Sequence, residues 1–495
     1  MPSPPDTARL RAAPLASSYP TKVALVLCAL CPFIVATTAV TLMQNSLLKD
    51  LHATPTGLQL AGGLANAAYA FGAVLAVALL KRFPPRPLFL AYEAVFVAGS
   101  VVVALAGDAP VFTAGRVVQG FATGLLLVAA LPPLVTAFGP ERLPVTVAVV
   151  DIGLFGATTV GPLVGGIAGA HDAWRTVFWV LAAVGAAAGV LGVVSVRQGE
   201  ALDPDGPLDT GAVGLAALAT ALPFFGSSEL TSHPLLSWWT LPPLAVGLLV
   251  LVGLIVVEYR RSDALTPVRL LAHTFPVTGI LAAMVTGAAA VALLELAENY
   301  LVQGRHTGVL TAGLLFWPQV VGVAIAAAAF SAVLRRRVLR GLIIVGTLVL
   351  CAGAVGVGLV GTRTGHPAIL LVSAAIGFGA GATVSPGLFL AALSLPSRQL
   401  GPTFALVELL RSEAAFLVAP VLLHVAEEHG RGLAQLAHGT AVGGWVVLGL
   451  LLAGSGASAV LWRAGGARSQ VPDLARWLED GQEALDSPPV ADRVR

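Results

Sequence analysis

Long apolar runs recur along the whole chain, each interrupted by a short cluster of charged or turn-forming residues. A helix needs about 20 apolar residues to cross ~30 Å of hydrocarbon. Cut at the polar clusters, the chain yields fourteen runs of that order, at 23–48, 57–80, 88–107, 110–137, 144–169, 175–196, 210–226, 238–258, 275–302, 308–334, 340–362, 367–394, 401–427 and 438–463. Each is predicted to be a spanning helix. Residues 1–22 are polar and proline-bearing, and the run that follows is too long for a signal-peptide core and lacks a small-residue cleavage site, so it is expected to stay in the mature protein.

Composition turns this pattern into a class. With 57% hydrophobic and 11% charged residues and a mean hydropathy of +0.87, the 495 residues describe an integral membrane protein and exclude a soluble one. The net charge of +2 says little. Its placement says more. With the N-terminus assigned to the cytoplasm, the inner loops and tail take Lys81, Arg82, Arg86, Arg142, Arg197, Arg260, Arg335, Arg336, Arg337, Arg398 and Arg463 among others, while the outer loops take only Lys49, Arg175, Arg305, Arg363 and Arg431. The bias is about four to one, and it survives only for an even number of helices, with both termini inside. Abundant arginine, alanine, glycine and valine point to a high-GC bacterium, hence to a bacterial cell membrane.

The basic loop after the second run (Lys81, Arg82, Arg86) has a counterpart after the tenth (Arg335, Arg336, Arg337, Arg340). Such internal repeats build many secondary transporters, with the substrate site between the repeats. The expected division is a cytoplasmic segment 1–22, an N-terminal six-helix bundle 23–196, a linking region 197–274 with two helices, a C-terminal six-helix bundle 275–463 and a cytoplasmic tail 464–495.

Four stretches carry chemistry. Gly156 to Gly166 reads G-A-T-T-V-G-P-L-V-G-G, in which Gly156, Gly161, Gly165 and Gly166 clear a groove for a neighbouring helix and Pro162 sits within it. Arg116 to Gly124 reads R-V-V-Q-G-F-A-T-G, Trp174 to Trp179 reads W-R-T-V-F-W, and Leu310 to Gln319 reads L-T-A-G-L-L-F-W-P-Q. Together these resemble the major facilitator superfamily, in its fourteen-helix drug:proton antiporter branch, over nearly the whole chain. The resemblance implies an all-α major facilitator fold of two six-helix bundles plus two linking helices. It also implies a role for Arg116, with Gln119 and Gly120, in coupling proton to substrate movement, and a bending and packing role for the Gly-Pro element. A mid-membrane arginine costs roughly 2.5–3.5 kcal/mol on insertion scales, which independently favours a functional placement.

Two departures from the branch stand out. The first helix reads A-T-T-A-V-T-L-M-Q-N-S-L-L (Ala36 to Leu48), without the branch's aspartate and with Asn45 about where a proline falls. The inner loop reads V-A-L-L-K-R-F-P-P-R (Val77 to Arg86), where Lys81 replaces the aspartate and Pro84 the glycine, so a gate built from Lys81, Arg82 and Arg86 must be held differently.

Proton coupling needs intramembrane carboxylates. Asp151, three turns before Pro162, is the first choice; Glu295 and Glu298 on the ninth helix, and Glu408 on the thirteenth, are the others. Glu408 and Arg411, spaced i, i+3, can also neutralise one another structurally. Glu413 lies on the same helix, and Glu93 is expected to snorkel from the inner end of the third. Gln44, Asn45, Asn66 and Phe316 are expected to line a mostly apolar substrate cavity.

Other signals are discounted. Cys28, Cys31 and Cys351 read as small apolar residues. G-F-G-A-G (Gly377 to Gly381) reads as helix packing rather than a nucleotide loop, and His424, Glu427, Glu428 and His429 miss the zinc-protease spacing by one residue. In the tail, Leu474, Trp477, Leu478 and Leu485 share one face that suits either a helix along the membrane surface or a solvated segment. The expectation is a monomeric transporter, not an enzyme, with no cofactor, metal or nucleic acid. It would exchange protons for an amphipathic organic compound such as a drug or secondary metabolite. The alternatives are an exporter of lipid-like molecules, favoured by the missing first-helix aspartate, and a non-transporting sensor.

Overall fold

The computed structural model describes residues 13–206, 209–261, 265–428 and 432–490. Fourteen long helices follow one another: α1 Tyr19–Asp50, α2 Pro55–Arg82, α3 Pro85–Ala104, α4 Ala109–Thr136, α5 Leu143–Ala170, α6 Trp174–Ser195, α7 Thr210–Ser228, α8 Leu241–Arg260, α9 Thr274–Gly304, α10 Val309–Val333, α11 Leu339–Gly358, α12 His366–Ala392, α13 Leu400–Glu428 and α14 Leu433–Ala464. A short helix, α15 (Leu474–Glu479), lies in the tail. Thirteen of the long helices are apolar enough to cross a membrane by length and composition. The other, α13, is 29 residues long and carries Glu408, Arg411 and Glu413, all turned into the protein rather than outward.

Helix starts follow from local chemistry. Proline occupies the first turn of α1, α2, α3, α4, α5, α8 and α12, where its missing N–H costs no hydrogen bond. Thr54 and Asp108 cap α2 and α4 by accepting from the backbone N–H of Gly57 and Val111. Within α10, Pro318 interrupts the helix after Leu315. At the end of α9 the backbone widens into a π turn over Tyr300–Gly304.

Packing repeats between the halves. In the N-terminal bundle α2 packs on α4, α1 on α5, α3 on α4 and on α6, and α1 on α6; in the C-terminal bundle the corresponding pairs are α10 on α12, α9 on α13, α11 on α12 and on α14, and α9 on α14. The seams between bundles are exchanged in the same way, with α5 against α10 and α2 against α13. The linking helices α7 and α8 pack on one another, and α7 covers only the second seam, where Phe224 meets Phe416 with ring centroids 6.1 Å apart.

Close approach within the N-terminal bundle uses missing side chains. A Cβ on Gly120 would run into the Ala65 carbonyl of α2, and one on Gly165 into the Ala39 carbonyl of α1. At the ends, polar groups tie helices together. The W-R-T-V-F-W stretch forms such a tie: Trp174 Nε1 donates to Asp50 Oδ2 at 3.1 Å, and Arg175 bridges Asp50 (2.6 Å) and the Ala106 carbonyl (3.1 Å).

The tail differs from the membrane-surface and solvated alternatives. Trp477 is fully buried and donates through Nε1 to the Leu395 carbonyl at 2.9 Å, while the N–H groups of Ala484 and Leu485 both reach the Leu393 carbonyl. The apolar face of the tail therefore docks on the α12–α13 turn of its own chain, which supplies backbone acceptors that lipid cannot. Residues 1–12 and 491–495, most of the N-terminal segment and the last part of the tail, lie outside the described residues, as do Arg431 and His429.

Candidate functional site

A cavity of about 180 Å³ lies between the bundles, with walls from α1, α2, α4, α5, α9, α10, α12 and α13. Its wall is mostly apolar, with Phe33, Phe155, Phe389, Phe404 and Phe416 contributing rings. Polar groups enter from both bundles. From the N-terminal one come Thr37, Thr38, Thr41, Asn66, Tyr69, Thr158 and Thr159, and from the C-terminal one Glu295, Glu298, Gln319, Ser385, Glu408 and Arg411.

The expected coupling residues separate into four places. Arg116 stands behind the wall, 2% exposed, with Nη1 donating to Gln119 Oε1 (2.9 Å) and Nη2 to Thr37 Oγ1 (3.4 Å). Its guanidinium lies 5.1 Å from the ring centroid of Phe33 and 5.8 Å from that of Phe178. Gln119 passes the network on to Ser100 Oγ at 2.7 Å. No carboxylate pairs with Arg116 among the described residues, and both groups it touches across to α1, Thr37 and Phe33, face the cavity. The arginine is thus linked to the substrate space through one layer of side chains.

Asp151 is fully buried, and neither carboxylate oxygen has a hydrogen-bond partner. It points across the seam toward Gly381 and Ser385 of α12, directly behind the wall residues Val150 and Leu154. Glu295 and Glu298 open directly on the cavity, near Thr41 of α1, and Glu298 Oε1 is unpartnered. Glu408 and Arg411 form an ion pair, with Nε to Oε2 at 3.0 Å and a second, closer Nη2 to Oε1 contact. The hydroxyl of Tyr69 on α2 faces this pair, so the i, i+3 pair is also a contact between bundles.

The Gly-Pro element divides by residue. Gly161 packs on Thr38 and the Val35 carbonyl, and Gly165 on Ala39, so both serve α1, whereas Gly166 meets Val309 and Gly313 of α10 across the seam. Gly156 approaches no neighbouring helix; a Cβ there would meet only Ile152 of its own helix, so it does not belong to the groove. Pro162 has no N–H to give to the Thr158 carbonyl one turn earlier. Thr38 Oγ1 donates to that carbonyl instead, at 3.0 Å, so the first helix satisfies the group that the proline frees.

Several expected placements are corrected. Asn66 lines the cavity, but Gln44 and Asn45 lie beyond its wall, Asn45 exposed, because one turn farther along α1 the helix has left the cavity. Phe316 packs in a separate core with Tyr300, Leu301 and Ile369, since the break before Pro318 turns it away. Lys81 and Arg82 are exposed, and Arg86 donates to the Val193 carbonyl (2.6 Å) inside its own bundle; none of the three bridges the bundles. At that end Arg335 makes the crossing, donating to the Pro140 carbonyl at 2.9 Å. Glu93 does not snorkel. It is 2% exposed more than two turns into α3, with both oxygens unpartnered.

Tyr69, Gln319 and the threonines of α1 were not among the expected site residues, and Arg335 was expected only as part of a basic loop. The spacing Thr37, Thr38, Thr41 marks one helix face, and Gln319 directly follows a helix-breaking proline. Both are polar groups inside apolar runs, the signal that marks cavity walls in membrane helices.

Two pseudo-equivalent helix bundles around a central cavity, with polar groups from both in its wall, define a membrane transporter rather than an enzyme. The chain belongs to the Major Facilitator Superfamily, which it matches over residues 25–420. It is 30% identical to the uncharacterized MFS-type transporter YubD of Bacillus subtilis over 373 residues, 73% of this chain and 71% of that one. It is 27% identical to the drug efflux pump JefA of Mycobacterium tuberculosis over 380 residues, 74% and 72% of the two chains. Among solved structures it resembles a POT family transporter in complex with a thioalcohol conjugated peptide, at a TM-score of 0.65 and 12% identity, covering 92% of this chain and 99% of that one. That likeness speaks to the fold.

Proposed function

We propose that this protein exports amphipathic organic compounds across a bacterial cell membrane by alternating access, in exchange for protons, as a monomer with both chain ends in the cytoplasm. The observation that carries the reading is the wall of the central cavity: aromatic and aliphatic over most of its area, with Glu295 and Glu298 facing the space. An apolar wall with a few polar groups holds amphiphiles without strict hydrogen-bond geometry. The similarity to a drug efflux pump supports an outward direction and a drug-like cargo. The orientation is supported by the basic loops, with Arg142, Arg335 and Arg398 at the end where the tail docks.

The test is efflux of a fluorescent amphiphilic cation such as ethidium from proteoliposomes under an imposed pH gradient. Wild-type protein is expected to move the dye against its gradient, and the Glu295→Gln, Glu298→Gln double variant to lose most of that flux at equal incorporation. Dye movement that ignores the pH gradient removes the proton from the mechanism, and full flux in the double variant removes these carboxylates.

A further inference from the structure

A second, shallow recess lies at the end of the C-terminal bundle that carries the tail, and it shares no lining residue with the central cavity. Phe275, Leu390 and Trp462 form its apolar floor, and Arg337, Arg340 and Gln470 its rim. The Arg340 guanidinium lies over the Trp462 ring, 4.3 Å from its centroid, and Trp462 in turn packs on Phe275 at 4.9 Å. Arg463 is close enough to Arg340 for the two charges to repel. Among the described residues, Arg337, Arg340 and Arg463 make no ion pair. Asp486 is the carboxylate joined to this wall, through backbone hydrogen bonds with the Gln470 side chain, but its oxygens face Arg476, 3.7 Å away. Cations gathered without a counter-ion make a local positive potential that an anion relieves.

The surface running away from these cations is apolar. On α11, Ile344 and Leu348 follow Arg340 at i+4 and i+8 and are 47% and 63% exposed. On α14, Val460 and Leu452 precede Arg463 on its face and are 65% and 60% exposed. The two helices pack side by side, so the charged recess continues into a pair of lipid-facing apolar stripes.

We propose that this recess between α11 and α14 binds an anionic glycerophospholipid, its phosphate held by Arg337, Arg340 and Arg463 and its acyl chains laid along the two stripes. The phosphate chemistry alone would also suit free phosphate; the stripes favour the lipid. The docked tail completes the site, because Gln470 and Leu485 belong to its wall. The inference rests on the membrane setting and not on the transported cargo.

Purified full-length protein, stripped of lipid in detergent, is titrated with phosphatidylglycerol, phosphatidylcholine or inorganic phosphate and read by native mass spectrometry and thermal melting. Phosphatidylglycerol is expected to be retained at least fivefold over phosphatidylcholine and to raise the melting temperature by a few degrees, with inorganic phosphate giving neither effect. Arg340→Gln with Arg463→Gln is expected to abolish the preference. Arg340→Lys and the remote pair Arg197→Gln with Arg260→Gln are expected to keep it. Equal retention of the two lipids, an equal shift with inorganic phosphate, or an undiminished preference in the double glutamine variant overturns the proposal. Should that variant not fold, Arg337→Gln, at an exposed position, carries the same test with the same meaning.

Discussion

Arg116 and Asp151 are both buried ionisable groups with no opposite charge in contact among the described residues, and they lie in different helices of the same bundle. Arg116 is held by two neutral acceptors and two aromatic faces, an arrangement that uses the planar guanidinium fork rather than a point charge. Arg116→Ala is therefore expected to abolish proton-driven transport while leaving a folded, correctly inserted protein. Arg116→Lys, which keeps the charge but not the fork, should restore less than about a tenth of the wild-type rate, a drop worth ~1.4 kcal/mol. Flux and gel-filtration profiles of the two variants check this, and intact flux in the alanine variant would remove Arg116 from coupling. Asp151 faces Ser385 and Gly381 across the bundle seam, so its surroundings change whenever the bundles rock. Asp151→Asn is expected to permit substrate exchange down its own gradient but to remove acceleration by a pH gradient. Normal proton-driven uphill transport in that variant would assign coupling to Glu295 and Glu298 instead.

At the scale of elements, glycine seams and the docked tail hold helices in register. The α1–α5 contact places Gly161 and Gly165 on the carbonyl side of α1, and Thr38 repairs the hydrogen bond broken by Pro162, so bending of α5 and position of α1 are set by one contact. The tail works at the other bundle: the Thr274 N–H and hydroxyl both donate to the Pro488 carbonyl, tying the start of α9 to the tail, while Trp477 ties the tail to the α12–α13 turn. Removing a buried tryptophan costs roughly 3–5 kcal/mol. Trp477→Ala should consequently lower the melting temperature in detergent by several degrees without changing the transported substrates. A variant that melts with wild type would mean that the tail adds no stability to the bundle.

For the whole molecule, the exchanged seams α5–α10 and α2–α13 are where, on the proposed mechanism, one bundle would move on the other. The Arg335 to Pro140 hydrogen bond is a crossing at the basic end, and Tyr69 facing the Glu408–Arg411 pair is one beside the cavity. The Glu408–Arg411 pair lies within α13, so movement of one bundle on the other would leave it paired, while the Arg335 hydrogen bond at the surface can open. A short cross-link between Arg335→Cys and Glu141→Cys, next to Pro140, is expected to stop transport reversibly, with recovery on reduction. Undiminished flux in the cross-linked protein would exclude rocking about these seams.

Helix number and limits were legible in the chain because each depends on a local quantity, the length of an apolar run between charges; all fourteen runs lie within a few residues of helices α1 to α14. The Gly161–Pro162–Gly165 groove and the inward-facing Glu408 and Arg411 were legible for the same reason, since a small or charged residue in an apolar run has few places to go. What only the tertiary structure decided is which way polar residues face once helices break and tilt. Asn45 and Phe316 left the cavity because their helices turn away from it, and Glu93 is enclosed rather than snorkelling because α3 buries that face. The crossing at the basic end passed from the loop of Lys81 to Arg335, since that contact needs two loops far apart in sequence to meet. Hydropathy is summed along the chain, whereas cavities, seams and latches are made by contacts between segments far apart in sequence.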